Sequence, residues 1–155
     1  MMLRVSKLAD YATVVMVYLA RAEVGLYSAR DIALQTHLAL PTVSKLLKRL
    51  TASALLLSVR GVTGGYRLAR SAADITVAEI LYSLDEPRGL TACSFNHSAC
   101  VLQGVCQIQG NWQAISQAID AALQSVSLET LAKPVMAVTS VETVKKLASG
   151  VVRCD

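Results

Sequence analysis

The sequence predicts a mainly α-helical fold with one short two-stranded β-hairpin and a long C-terminal helix. Three observations predict it. Aromatics make up only 5% of a chain that is 54% hydrophobic, so Ala, Val and Leu carry the apolar load, which suits close-packed helices. Val43, Leu46, Leu47 and Leu50 fall at i, i+3, i+4 and i+7, the stripe of an amphipathic helix. The run V-T-G-G at residues 62–65 separates L-L-L-S-V-R-G from Y-R-L-A-R, two segments able to pair across a glycine turn.

Taken in order, Ser6 can cap a helix from Lys7 to about Ala22. Its middle, Y-A-T-V-V-M-V-Y-L-A, is apolar nearly all round, as expected of a central buried helix. Asp10 falls in the first turn, where an acid complements the helix dipole. Gly25 breaks the chain, and Ser28 can cap a second helix from Ala29 to Gln35. His37 then takes the turn position often held by glycine, and histidine tolerates positive φ better than most residues. Pro41 suits the first position of a third helix. Small Ala33 lets the two helices cross closely, and Leu38 plugs their corner. In the hairpin, Gly64-Gly65 is expected to supply the positive φ. Helix-turn-helix followed at once by a hairpin is a winged helix-turn-helix with a two-stranded β-wing.

Thr76-x-x-Glu79 is a capping box for a short helix over Val77 to Asp85, ended by Pro87. Residues 88–110 read as an irregular loop. Asn111 can cap a long helix from Trp112 towards Val126, with Trp112, Ile115, Ile119, Ala122 and Val126 along one narrow face. Such a face fits helix pairing between subunits, so this is the expected dimerisation helix. From Ser127 on, a short helix near Thr143 to Ala148 is expected in an otherwise loosely ordered tail. The expected divisions are residues 1–86 for DNA binding, 87–110 for the cysteine loop, 111–132 for dimerisation and 133–155 for the tail.

Charge separates these regions. Residues 28–70 hold seven bases and one acid, whereas residues 71–126 hold one base and five acids. The first segment is built to meet a polyanion. Thr42, Ser44, Lys45, Lys48 and Arg49 lie off the apolar stripe of the third helix. Thr42, Ser44 and Lys45 are expected to address base edges, and Lys48 and Arg49 phosphates. Arg60 and Arg67 flank the hairpin, with Arg60 expected in a minor groove. No apolar run approaches the roughly 20 residues of a membrane span, and the N-terminus lacks a signal-peptide core. The expectation is a cytoplasmic protein with no membrane partner. With two histidines, no nucleophile–base pair and no phosphate loop, it is not read as an enzyme.

Cys93, Cys100 and Cys106 sit within the loop, and Cys154 stands alone near the end. In a cytoplasmic setting this favours metal or thiol chemistry over structural disulfides. Three thiolates ahead of a helix N-terminus suit an anionic iron–sulfur centre. The paired C-x₂₋₄-C knuckles of structural zinc are missing, yet three cysteines with His97 could hold zinc, and three unliganded thiols are a third reading.

L-R-V-S-K-L-A-D-Y-A-T-V-V-M, P-T-V-S-K-L-L-K, S-V-R-G-V-T-G-G-Y-R-L-A, the three-cysteine loop and G-N-W together resemble the IscR/NsrR-like (Rrf-type) family of bacterial winged-helix regulators. The similarity covers residues 1 to about 132 and is greatest to regulators of the SUF iron–sulfur assembly operon. It implies a homodimer paired through the long helix and bound to double-stranded promoter DNA. It also implies a repressor that senses iron–sulfur status, nitric oxide or redox state through a [2Fe–2S] or [4Fe–4S] cluster. Cys93, Cys100 and Cys106 would be the cysteinyl ligands. IscR-like members place a histidine three residues after the last cysteine, where this chain has Gln109. NsrR-like members use an aspartate of the partner's first helix, a position matched by Asp10. The resemblance thus puts Asp10 of the partner subunit first as fourth ligand, ahead of His97 and Gln109. A small iron–sulfur carrier or scaffold, and a zinc- or thiol-based redox regulator, are the rival readings.

Overall fold

The computed structural model describes residues 5–84, 90, 91, 94 and 106–134 of the chain. Cys93, His97, Cys100, Cys154, the expected stop at Pro87 and the expected helix at Thr143 to Ala148 lie outside the described residues.

Helix α1 (Lys7–Arg21) begins at Ser6, whose hydroxyl accepts from the Ala9 amide at 3.2 Å. Ala9, Ala12, Val15, Met16 and Leu19 bury one face of it against the helices that follow. The expected all-round burial is not found: Val14 is exposed, and Tyr11 and Val17 are half-buried. Helix α2 (Ala29–Thr36) starts in a capping box in which Ser28 and Asp31 satisfy each other's backbone N–H groups. The hydrogen bonds from Ser28 hold the Asp31 carboxyl below its ordinary pKa. The helix ends at His37, φ 55°, as the turn chemistry predicts.

Helix α3 (Leu40–Ala52) places Pro41 at its second position, one later than expected. Val43, Leu46, Leu47 and Leu50 are all fully buried, so the apolar stripe is the inner face. The helix closes through Leu55 N–H to Leu50 O (3.0 Å) and Ala54 N–H to Thr51 O (3.0 Å). That two-bond pattern wants a left-handed residue, usually glycine, where this chain has Ala54 at φ 57°. Ala54→Gly should therefore raise stability by about 1 kcal/mol, read as a higher denaturation midpoint with unchanged slope.

Strands β1 (Leu56–Val59) and β2 (Gly65–Leu68) form the antiparallel wing, with Leu56 opposite Leu68 and Val59 opposite Gly65. Two features of it were not expected. Tyr27 and Tyr66 exchange backbone hydrogen bonds of 3.0 and 2.9 Å, so a single residue ahead of α2 adds a third rung beyond β2. The positive φ belongs to Gly61 (127°), not to Gly64 or Gly65. Those two are required by close approach instead: a Cβ on Gly65 would lie 2.8 Å from the Tyr27 carbonyl oxygen, and one on Gly64 would overlap that of Val59.

A 3₁₀ turn (Ala72–Asp74) leads to helix α4 (Val77–Tyr82), whose Thr76–Glu79 capping box forms as expected. Burial alone would raise the Glu79 pKa, but hydrogen bonds from Arg70 and Thr76 outweigh it and hold the carboxyl low. Helix α5 (Gln109–Gln124) starts earlier than expected. Ile108 is its N-cap, without a side-chain cap, and Asn111 lies inside the first turn. Residues 127–134, expected to be loosely ordered, are instead built into the fold. Ser127 caps helix α6 (Leu128–Ala132), Leu128 is fully buried, and Leu128 N–H donates to Ile75 O at 2.7 Å. Arg21 Nε donates to Ala132 O at 2.6 Å. Helix α6 thus closes against α1 and shares the core of the winged helix.

Candidate nucleic-acid interface and metal-ligand residues

With its apolar side sealed, α3 turns Lys45 and Lys48 outward, one turn apart, while Thr42 and Ser44 are half-buried beside them. Arg60 is exposed where β1 runs into the wing turn, and Arg67 is exposed on β2 opposite Leu57. Arg30 is exposed on the first turn of α2. Among the described residues none of these five cations forms an ion pair. No acidic residue occurs between His37 and Arg70. Apart from Asp31, whose carboxylate interacts with Arg30, no acid of this segment offsets their charge.

Two of the seven bases stand apart. Arg70 is spent on Glu79 (2.6 Å) and on Asp74 O (2.9 Å). Arg49 is half-buried and donates to Leu84 O at 3.3 Å, bracing the end of α4. Arg49, expected at a phosphate, thus has one guanidinium nitrogen turned back onto its own domain. It lies nearer the apolar stripe than Lys48 does, and Leu84 offers a carbonyl beyond the end of α4.

Of the candidate metal ligands, Asp10 is exposed on α1 and its carboxylate has no partner among the described residues. Cys106 is half-buried, three residues ahead of α5, and is not in a disulfide. Gln109 is the first residue of α5. Among the described residues no three ligand-type side chains converge. The uncapped first turn of α5 leaves its amide N–H groups without a side-chain acceptor just beyond Cys106. Among the contacts that fasten this region are two long-range side-chain hydrogen bonds: Tyr82 Oη donates to Asp120 on α5, and Leu90 N–H donates to the buried Ser116 Oγ at 3.2 Å. Neither was legible in sequence, because each joins residues more than 25 apart with no periodic signal.

The face of α5 that adjoins these contacts, running through Ile108, Trp112 and Ile115, is uncovered. Ile108 is 55% exposed, Trp112 37% and Ile115 45%, and Ser116 is the helix's sole buried residue. An apolar row at that spacing is costly to leave in water.

The family model described as "Iron-dependent Transcriptional regulator", Rrf2, matches residues 5–134. The chain belongs to the Rrf2 family. Rrf2 membership makes it a DNA-binding transcription regulator rather than an enzyme. The HTH-type transcriptional regulator IscR of Photorhabdus laumondii is 32% identical over 130 residues, covering 83% of this chain and 79% of its own. The same-named regulator of Xenorhabdus nematophila is 33% identical over 132 residues, covering 84% and 80%. Among solved structures, CymR, the global cysteine regulator of B. subtilis, superposes with a TM-score of 0.68 at 28% identity, covering 84% of this chain and 97% of its own. IscR of T. potens gives 0.66 at 26% identity, covering 91% and 96%. The winged helix-turn-helix architecture agrees with these structures. No helix among the described residues is long and apolar enough to cross a membrane.

Proposed function

We propose that this Rrf2 protein is a cytoplasmic homodimeric repressor that binds promoter DNA and reports iron–sulfur status through a cluster. The observation that carries the DNA half is the outward pair Lys45 and Lys48 on a helix whose opposite face is completely buried. Such a helix can enter a major groove without exposing core, with Thr42, Ser44 and Lys45 at base edges and Arg60 and Arg67 on the wing. Lys48→Ala should weaken binding to all duplexes and lower the slope of log K against log salt by about one. Arg49→Ala should leave that slope unchanged and cost about 1 kcal/mol of stability through its lost bond to Leu84. A slope altered equally by both would return Arg49 to the phosphates.

The donor set fits an iron–sulfur cluster. Three thiols within fourteen residues are soft ligands, and Cys106 precedes a helix start whose free N–H groups favour an anionic centre. Cys93, Cys100 and Cys106 would hold it, with Asp10 of the partner subunit as fourth ligand, a carboxylate without a competing bond among the described residues. When bound, the cluster supplies a centre that responds to oxidant and nitric oxide. Exposed Ile108, Trp112 and Ile115, with Ile119, would be covered by the partner's copy of α5. Regulation of iron–sulfur assembly genes fits the IscR relatives. The likeness to CymR, a cysteine regulator by its title, favours as second reading a thiol-based regulator without a cluster. Iron and sulfide counts on anaerobically purified protein separate the two: stoichiometric iron and sulfide support the cluster, and reduced thiols without iron support the second reading.

A further inference from the structure

At the corner of the helix-turn-helix, α2 and the start of α3 border a shallow, wide-open notch of about 470 Å³. Leu34, Leu38, Ala39 and Leu40 line it together with Arg30 and His37. Leu34 is 70% exposed and Leu40 40%, although both lie within the most basic part of the chain. A solvated cationic surface has no need of two exposed leucines around a notch, and the core beneath is already closed by Ile32, Val43 and Leu46.

We infer that this notch is a thymine-reading subsite, in which Leu40 and Leu34 receive the C5-methyl group of a thymine while Arg30 meets the adjoining phosphate. The inference rests on the DNA-binding reading above and extends it to residues outside the Lys45–Lys48 face. Leu40 is the first residue of α3, and the N-terminal residues of a recognition helix are those that reach base edges. In the major groove thymine alone offers an apolar group, its methyl. The first helix of the motif crosses the backbone, which places a cation on its first turn beside a phosphate. Leu40, Lys45 and Lys48 are all exposed on α3, and the Arg30 charge beside the notch is complementary to DNA.

The test uses full-length dimer and an operator obtained by selection from randomised duplexes. Each thymine is replaced in turn by deoxyuridine, which removes only the methyl group. Wild-type protein should lose about fourfold in affinity at one thymine per half-site, the factor expected for one buried methyl group. Leu40→Ala should bind the thymine operator about as weakly as wild type binds the uracil one, and be indifferent to the exchange. Arg30→Ala should lower affinity on both and reduce the salt slope by about one. Indifference of the wild type to uracil at every position would overturn the subsite while leaving DNA binding intact, and would mean that the notch serves another occupant. Sensitivity that persists undiminished in Leu40→Ala would also overturn it. Failure of wild type to select any duplex over random DNA would instead remove the DNA-binding reading itself.

Discussion

Cys106→Ser protein is expected to purify under strict anaerobiosis without the visible absorption of an iron–sulfur centre, whereas Cys154→Ser retains it. The effect is all or nothing. A serine hydroxyl is not a soft anionic ligand at neutral pH, so a three-cysteine set loses a third of its thiolate donors at once. Cys106 is also the thiol nearest the start of α5, where uncapped N–H groups favour negative charge. Cys154 lies 48 residues beyond Cys106, outside the loop, so its loss should leave the three loop thiolates in place. Asp10→Ala, removing the carboxylate proposed as the other subunit's ligand, should keep a chromophore with altered spectrum and shorter lifetime. An unchanged Asp10→Ala spectrum would move the fourth ligand to His97 or Gln109. Stoichiometric zinc in place of iron would end the cluster reading and leave the winged helix unaffected.

Ile115→Glu is expected to convert the proposed dimer to monomer at micromolar concentration. Ile115 is 45% exposed in a single chain, in a row with Ile108 and Trp112 on the side of α5 that the core does not cover. Burying an unpaired carboxylate costs several kcal/mol, and a two-fold axis imposes that cost twice. At 1.4 kcal/mol per factor of ten, the dissociation constant should rise at least a thousandfold. Gln117→Glu, exposed on the opposite side of the same helix, is the control for added charge and should remain dimeric. Sedimentation showing both variants as dimers would point to a different interface.

Sequence showed clearly those parts whose cause is local. The α3 stripe, the two capping boxes and the positive φ at His37 each follow from residues within a few positions of one another. What it concealed depends on distant partners. Tyr27 becomes a sheet rung only because Tyr66 returns beside it, and Gly65 is needed only because Tyr27 lies against it. Leu128 enters the core through a backbone bond to Ile75, so a segment resembling the start of a tail is part of the domain. Asn111 carried a plausible cap signal, yet α5 begins two residues before it. In the candidate site, Lys45, Lys48 and Arg60 are exposed, while Arg49 bonds a carbonyl that no spacing rule could locate. The notch of Leu34, Leu38 and Leu40 escaped notice because leucines at a helix corner read as core until their exposure is known.

The central claim is that cluster state governs DNA binding, and one titration tests it most directly. The selected operator is titrated with anaerobic cluster-loaded protein and with the same preparation stripped of iron, at one salt concentration. The account predicts affinities differing by about tenfold or more, a coupling of over 1 kcal/mol between two distinct sites. Equal affinities for loaded and stripped protein, both dimeric, would contradict it.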